Sequence, residues 1–352
     1  MAGMVRVPVE EARTLCQEAF ERRGVPPGDA ALAVEQFILC DLLGIHTHGT
    51  RRLSNYIGRI EIGGINPAPD IRIVSRLPAV AVVEGDGGLG TVVASRALED
   101  GIARAKTNGI AYVGCVNSNH FGANASYGWL AAERGFVCLS GSNGTATIAP
   151  TGGKTATVGN NPIGYAAPRA DGPPFVLDIA QSVASRGKIR RARDLGESIP
   201  EGWGLDADGF PTTDPGEALN GLVLPIGGHK GYGIAVATEI LAALLRGGGF
   251  AGDIGHQFNE PDRPSKVSHY FILIDPEATV GRAAFEERMR DYCDWIRSSS
   301  PADPDVPVRV PGEGAAASRA RNLAEGLPMD EEEYARMRGL ADGTLEGVIP
   351  SA

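Results

Sequence analysis

Four short stretches of the sequence contain side chains that could do chemistry together. The residues are His46, His48, Arg51 and Arg52 in GIHTHGTRR, His120 in NSNHFG, Asp178 in FVLDIAQS and Lys230 in LPIGGHKGYG. Histidine titrates near neutral pH, arginine offers a planar fork of donors to a carboxylate, and lysine can bond to ribose hydroxyls or a phosphate. A carboxylate such as Asp178 could fix the tautomer of an imidazole. The combination suits hydride transfer at a carbon that bears oxygen, because that reaction needs an acid/base for the alcohol proton.

A metal site is the competing hypothesis. In an extended segment His46 and His48 would lie on one face, and His120 and Asp178 could complete a shell of three histidines and one aspartate. The neighbouring arginines make the surroundings cationic, which opposes a divalent metal, so we expect none. Each histidine could also be an ordinary polar residue near a turn. That interpretation is weakened because two separate glycine-flanked stretches use three of the six histidines.

Residues 85–90, GDGGLG, fit the G-x-G-x-x-G pattern of a dinucleotide-binding turn and follow an apolar run. A Rossmann turn also needs an acidic residue about twenty positions further on, which binds the ribose hydroxyls. The next strand, at 109–116, is followed by NSNH without an acid, and Glu84 and Asp86 place two carboxylates where a pyrophosphate would lie. We therefore predict that this turn seats a helix on the sheet and that its glycines permit close packing.

The 352 residues, 43% apolar and 22% charged, are typical of a globular enzyme or binding protein with about two domains. A net charge of −10 argues against a nucleic-acid partner, which would need a basic footprint. Five cysteines without CxxC spacing indicate reduced thiols and a cytoplasmic location. The longest apolar segment, 232–245, is interrupted by Glu239, and the N-terminus lacks a signal-peptide pattern, so we expect no membrane association.

Hydrophobic periodicity predicts helices at both ends of the chain and an α/β region between them. A first helix is indicated from near Val9 to Gly24, and a second from Asp29, as its N-cap, towards Leu43. Strands are indicated at 71–85, 109–116 and 270–275, a buried helix at 231–245, and a helical tail from about 280. The Gly/Pro-rich connection 197–221 is predicted to be a functional loop or lid.

Seven motifs occur in order along the chain: GIHTHG, NSNHFG, GNNPI, VLDIAQS, IPEGWGLDADGFPTTDP, LPIGGHKGYG and VPGE. Together they resemble the malate/L-lactate dehydrogenase family that is unrelated to the Rossmann-type lactate and malate dehydrogenases. The resemblance covers about residues 5–345 and implies an α/β fold with a non-Rossmann NAD(P)-binding domain, at 76–284. It also implies a discontinuous helical domain built from both chain termini, 1–75 plus 285–352, and a homodimer.

Four residues are expected to be catalytic, three of them from the resemblance and Asp178 from its chemistry. His48 and His120 match histidines proposed for proton transfer, and which of them acts is left open. Arg52 matches the arginine that binds the substrate carboxylate, and Asp178 would orient a histidine or the nicotinamide. The expected reaction interconverts a small 2-hydroxy acid and its 2-oxo acid with NAD or NADP. Reduction of a cyclic ketimine carboxylate on the same fold is the alternative, and a His-ligated metal-dependent hydrolase or lyase is less favoured.

Substrate and cofactor positions are also implied by the resemblance. The substrate positions are Thr47, Arg52 and Asn161. The cofactor positions are Ser142, Asn143, Gly144, Asp178, Ile179, Ala180, Lys230, Gly312 and Glu313. Thr47 stands where a serine is usual, and Asn160 and Gln181 stand where threonines are usual. The sequence therefore leaves open which 2-hydroxy acid is the substrate. The basic cluster that starts at Arg186 could meet the 2′-phosphate of NADP or be a solvated charge run.

Overall fold

The computed structural model of the chain describes residues 3–349, in which eleven α-helices and fourteen β-strands are found. The helices are α1 (Val9–Glu21), α2 (Pro27–Leu42), α3 (Leu53–Glu61), α4 (Gly90–Asn108), α5 (Asn124–Glu133), α6 (Arg186–Leu195), α7 (Pro215–Asn220), α8 (His229–Ala242), α9 (Arg282–Arg297), α10 (Glu313–Glu325) and α11 (Glu331–Asp342). The strands are β1 (Met4–Val7), β2 (Arg72–Leu77), β3 (Val80–Glu84), β4 (Ile110–Ser118), β5 (Val137–Ser142), β6 (Ala146–Ile148), β7 (Val158–Gly159), β8 (Ile163–Ala167), β9 (Phe175–Ile179), β10 (Gly204–Leu205), β11 (Pro211–Thr212), β12 (Leu222–Val223), β13 (Val267–Ile274) and β14 (Leu327–Asp330).

The central sheet has seven strands in the order β2-β3-β4-β13-β5-β8-β9. Within it β3 and β4 run parallel, and every other pair of neighbours is antiparallel. A Rossmann domain is built on a mostly parallel sheet whose strands are joined by helical crossovers. A sheet with a single parallel pair is not of that kind. The predicted non-Rossmann α/β fold is therefore confirmed.

Two apolar cores hold the layers together. One lies between the central sheet and α4 and α5, where Val83, Val113 and Phe271 are fully buried. The other packs α1, α2 and α3 against α11, and β1 pairs antiparallel with β14, so segments from the two ends of the chain meet in one layer. The domain boundaries inferred from the sequence stay a prediction. Within residues 3–349 no helix has the length and apolar composition needed to cross a bilayer.

The structure differs from the sequence-based predictions at three places. Helix α2 begins at Pro27, so Asp29 is not its N-cap; it lies in the first turn and pairs with Arg96. Helix α8 is not buried all round, because Ile234 and Ile240 are exposed on one side. The connection 197–221 is not a plain loop, since it contains β10, β11 and α7 around a small apolar core. Strands β10 and β11 have only two residues each, which is too short for an alternating hydrophobic pattern to be recognised in the sequence.

The GDGGLG turn packs tightly against the segment that contains His120. A Cβ atom at Gly90 would lie 2.6 Å from the carbonyl carbon of His120, and one at Gly85 would lie 2.9 Å from the carbonyl oxygen of Asn117. The side chain of Asn119 donates to the carbonyl oxygens of Gly87 and Gly88 at 2.8 and 2.9 Å. The turn therefore seats α4 on the sheet, as predicted, and it also supports the neighbouring histidine loop.

Candidate active site

The first histidine stretch folds into two consecutive 3-10 turns, His46–His48 and Thr50–Arg52, between α2 and α3. Asp41, near the end of α2, organises them. One carboxylate oxygen lies 3.0 Å from His46 Nδ1, and the other accepts hydrogen bonds from the backbone N–H and the hydroxyl of Thr50 at 2.8 and 2.7 Å. Gly49 makes room for this carboxylate, because a Cβ there would lie 2.5 Å from Asp41 Oδ2.

Asp41 is a site residue that the sequence reasoning missed. Its carboxylate raises the pKa of His46, chiefly through their hydrogen bond. A single acid in the apolar stretch FILCDLLG is the signal that could have revealed it, since a buried carboxylate needs partners. His46 is thus occupied in holding the turn, and its contacts place it in a supporting role.

His48 and His120 come together from separate parts of the chain. Their rings stack with centroids 5.5 Å apart and an angle of 24° between planes. His48 Nδ1 is 2.9 Å from Thr47 Oγ1, and His120 Nδ1 is 2.6 Å from the hydroxyl of Tyr56. Since each Nδ1 is engaged, and neither Nε2 has a hydrogen-bond partner in the part of the chain that the structure describes, the Nε2 atoms are the ones left for a substrate.

The charge state of the pair is set by burial and by Arg52. Burial, and then the positive charge of Arg52, lower the pKa of His48 to about 4. Burial also lowers the pKa of His120, with Arg52 and His48 adding to the effect. Both imidazoles are therefore neutral near pH 7 and can accept a proton.

Arg52 is held in place while its terminal nitrogens remain uncommitted. Its Nε donates to the carbonyl oxygen of Thr47 at 2.8 Å, and burial lowers the pKa of the guanidinium without removing its charge. Among residues 3–349 no carboxylate forms an ion pair with it. A cation without a counter-ion, beside two neutral imidazoles, fits the carboxylate of a small acid.

Asp178 is attached to the start of α5. It accepts a hydrogen bond from the backbone N–H of Ala125 at 2.9 Å and one from the side chain of Asn124 at 3.4 Å, while burial raises the pKa of its carboxyl. In the described residues it makes no hydrogen bond to a histidine. Its contacts therefore do not support the role of orienting a histidine, and the aspartate that contacts one is Asp41, at His46.

The metal alternative finds no support in the geometry. His46 is hydrogen-bonded to Asp41, and the rings of His48 and His120 stack on each other. Within the described range no three histidine, cysteine or acidic side chains are arranged so that they could hold a metal ion. The five cysteines, all of which lie in that range, are buried free thiols.

Most of the implied cofactor positions lie on a set of adjacent segments, 142–144, 160–163, 179–182 and 225–230, which we call the ridge. The backbone N–H of Gly144 donates to the side chain of Asn161 at 3.1 Å, and β8 pairs with β9 so that Ile163 lies opposite Ile179. Gln181, two residues after β9, contacts the segment that leads into α8, because the N–H of Ile226 donates to its carbonyl oxygen at 2.9 Å. The segments 142–144, 160–163, 179–182 and 225–230 thus lie side by side.

The exposed end of this ridge has room and positive charge for an anion. Lys230 is exposed at the N-terminus of α8, where the helix dipole favours negative charge. A Cβ atom at Gly144 or Gly228 would meet nothing within 4 Å, so a ligand can approach the backbone there. The GDGGLG turn offers no such space at Gly90, because backbone carbonyls already fill it.

Comparison with known proteins identifies the family of this chain. A family model described as malate/L-lactate dehydrogenase matches residues 7–338. The chain belongs to this family. L-sulfolactate dehydrogenase of Methanocaldococcus jannaschii is 36% identical over 95% of both chains, and malate dehydrogenase of Pyrococcus horikoshii is 35% identical over 92% of this chain and 91% of its own. The solved structure of the M. jannaschii sulfolactate dehydrogenase superposes with a TM-score of 0.89, covering 96% of this chain and 97% of that one at 35% identity.

This member of the malate/L-lactate dehydrogenase family is an oxidoreductase. A further relative, the Δ1-pyrroline-2-carboxylate/Δ1-piperideine-2-carboxylate reductase of Pseudomonas putida, is 31% identical over 96% of this chain and 97% of its own. The family thus includes dehydrogenases of hydroxy acids and a reductase of cyclic imines.

Two positions that the family resemblance assigned to the cofactor lie away from the ridge. Gly312 packs against the start of β9, where a Cβ would lie 3.0 Å from the backbone nitrogen of Val176. Glu313 accepts hydrogen bonds from Arg297 Nε at 3.0 Å and from the N–H of Val310 at 2.9 Å. These contacts account for both residues structurally, and their cofactor role stays a prediction.

Proposed function

We propose that the protein is an NAD(P)-dependent dehydrogenase that interconverts a small 2-hydroxy acid and its 2-oxo acid. The observation that supports this best is the stacked pair of neutral imidazoles, His48 and His120, beside the guanidinium of Arg52, which pairs with no carboxylate in residues 3–349. Alcohol oxidation needs a neutral base for the hydroxyl proton and a cation for the carboxylate, and these three residues provide both.

In the oxidation direction, Arg52 would hold the carboxylate through its terminal nitrogens and orient the hydroxyl-bearing carbon. The alcohol O–H would bond to Nε2 of His48 or His120, which takes the proton as the carbonyl forms. Thr47 and Tyr56 hold the two rings through Nδ1 and so leave each Nε2 free of a protein hydrogen-bond partner in the described residues. A bound nicotinamide supplies the hydride acceptor, or the hydride donor in reverse.

The reverse reaction needs an imidazolium, which can donate the proton. The charge of Arg52 is one cause of the lowered pKa of both histidines. A bound 2-oxo acid would place its carboxylate against that charge and would raise the pKa of the imidazole. Substrate binding would thereby prepare the proton donor for reduction.

For the cofactor we propose the ridge described above. Lys230 and the α8 N-terminus would bind a phosphate or ribose hydroxyls, and the backbone of Gly144, Ile179 and Ala180 would contact the dinucleotide. NAD and NADP differ by a 2′-phosphate. Arg186, a candidate for that phosphate, already donates to the carbonyl oxygen of Leu219, which favours a structural role for it. We also propose a homodimer in the cytoplasm, which the family resemblance and the reduced thiols support.

The runner-up is reduction of a cyclic ketimine carboxylate, which the relation to the P. putida reductase supports. The same histidine could protonate the imine nitrogen, and Arg52 could hold the same carboxylate. The two functions need the same cofactor and differ in the atom that is protonated.

One panel distinguishes the candidates. NADH and NADPH oxidation is followed by the absorbance of the reduced nicotinamide, with pyruvate, oxaloacetate, sulfopyruvate and a cyclic ketimine carboxylate, each with and without a chelator. We expect chelator-insensitive turnover of at least one 2-oxo acid. Turnover of the imine alone would favour the runner-up, and loss of activity with the chelator would favour the metal hypothesis. Light scattering of the purified protein tests the homodimer.

The two histidines are tested separately. His48→Ala and His120→Ala should each lower kcat by at least about a hundredfold, in the range of general acid–base catalysis, while the Kd of NADH stays near that of the wild type. A variant that keeps near-normal kcat identifies the histidine that does not transfer the proton.

A further inference from the structure

Glu239 lies on α8, about two and a half turns after Lys230. Its carboxylate accepts two hydrogen bonds from side-chain amides, one to Oε1 from Asn143 Nδ2 at 2.8 Å and one to Oε2 from Asn161 Nδ2 at 2.7 Å. Both asparagines are buried, at 3% and 0% exposure. One carboxylate therefore connects the helix of Lys230 to two separate segments of the ridge.

Asn143 cannot turn its amide round. Its Oδ1 accepts the backbone N–H of Ser268 at 2.8 Å, and its Nδ2 donates to the carbonyl oxygen of Gly249 at 2.9 Å as well as to Glu239. Both amide hydrogens are thus used, and the oxygen has a fixed donor. The side chain acts inside the protein, where it ties the end of β5 to β13.

Asn161 is fixed in the same way. Its Nδ2 donates to the carbonyl oxygen of Ala235 at 2.9 Å as well as to Glu239, and its Oδ1 accepts the backbone N–H of Gly144 at 3.1 Å. Its φ of 34° lies in the left-handed region, which asparagine adopts more readily than most residues, and these hydrogen bonds fix it there. Glu239 supplies the charged partner among these contacts.

We propose that Glu239 is a positioning residue for the dinucleotide-binding loops: its carboxylate orients Asn143 and Asn161, and these hold the backbone of Gly144 against α8. The inference rests on the proposed function, because the loops matter only if a dinucleotide binds there. It gives Asn143 and Asn161 a supporting role in place of direct contact with a ligand. It also explains why a carboxylate interrupts an apolar helix.

Glu239→Gln is the sharpest test, since it keeps the shape and removes one acceptor. The new side-chain NH₂ must face the NH₂ of one asparagine, and neither asparagine can flip without losing its other bonds. We expect the Kd of NADH or NADPH, measured by nicotinamide fluorescence, to rise about tenfold or more, as for a lost hydrogen bond to a charged group. At saturating dinucleotide kcat should stay within about threefold of the wild type, because the histidine pair is untouched.

Two further measurements separate positioning from general destabilisation. In the ligand-free protein, the Gly144 amide should exchange its hydrogen faster in Glu239→Gln, while the amides of α4 should not. Combined with Asn161→Ala, the substitution should raise the Kd by less than the product of the two separate effects, because the two residues act through one contact. Glu133→Gln is the matched control: Glu133 accepts a hydrogen bond from Trp129 at 2.7 Å, makes no hydrogen bond to these loops within the described residues, and should leave the Kd unchanged.

The outcomes distinguish this inference from the proposed function. A wild type that binds neither NADH nor NADPH overturns both. A wild type that binds, with Glu239→Gln binding equally well or with unchanged Gly144 exchange, overturns only the role of Glu239. Fully multiplicative effects in the double variant also overturn it.

Discussion

Gly90→Ala provides a strict test of how the glycine turn supports the active site. The added Cβ would lie 2.6 Å from the carbonyl carbon of His120 and closer still to the carbonyl oxygens of Asn119 and His120, whereas ordinary contacts begin at 3.4 Å. The two segments must therefore separate by about 1 Å. The histidine segment cannot move freely, because Tyr56 holds His120 at Nδ1 and Arg59 donates to Asn119 at 2.8 Å.

The expected result is a loss of activity beyond the loss of stability. A misplacement of about 1 Å at a catalytic group can lower kcat/KM by about a hundredfold, and overpacking costs about 1–3 kcal/mol of unfolding free energy. We expect kcat/KM for the 2-oxo acid to fall between about tenfold and a hundredfold, and Tm to fall by several degrees. The assays are steady-state kinetics well below Tm and calorimetry.

Gly101→Ala is the matched control on the same helix, α4. There the Cβ would lie 2.6 Å from Leu273 Cδ1 and 3.2 Å from Val113 Cγ2, about three helical turns beyond Gly90. It should lower Tm to a similar extent and leave kcat/KM of the folded protein unchanged. The reasoning is refuted if Gly90→Ala keeps the wild-type kcat/KM, or if Gly101→Ala loses as much activity.

Three further predictions concern charge. Arg52→Lys should raise the KM for the 2-oxo acid about tenfold by removing a bidentate contact, and an unchanged KM would rule out binding of the substrate carboxylate by Arg52. Because the pKa of His48 is lowered to about 4, kcat/KM for 2-hydroxy acid oxidation should not decline near pH 6.5 as pH falls, and a decline there would contradict the assigned charge state. Burial lowers the pKa of His269 from 6.5 to about 3. Between these two pH values the unfolded chain binds a proton at His269 and the folded protein does not. The free energy of unfolding should therefore decrease as pH falls through this range, with a smaller slope in His269→Gln, as urea unfolding would measure; equal slopes would count against this assignment.

Much of the candidate site was predictable from local sequence. His48, Arg52, His120 and Lys230 stand in short glycine-flanked motifs whose residue types already indicate acid/base and anion-binding chemistry. The GDGGLG turn could be assigned to packing because the carboxylates that disqualify it are its immediate neighbours. The order of the motifs along the chain indicated the family and, with it, the non-Rossmann fold.

The supporting contacts were decided by the tertiary structure. Tyr56 is 64 residues from His120, and Glu239 is 96 residues from Asn143, so no motif or periodicity connects them. The same holds for the lowered pKa of His48, which depends on burial and on the folded position of Arg52. The sequence by itself determined which side chains could do the chemistry, because residue type and short spacing are local. Only the folded chain decided how they are oriented and charged, because hydrogen bonding and desolvation depend on neighbours that are distant along the chain.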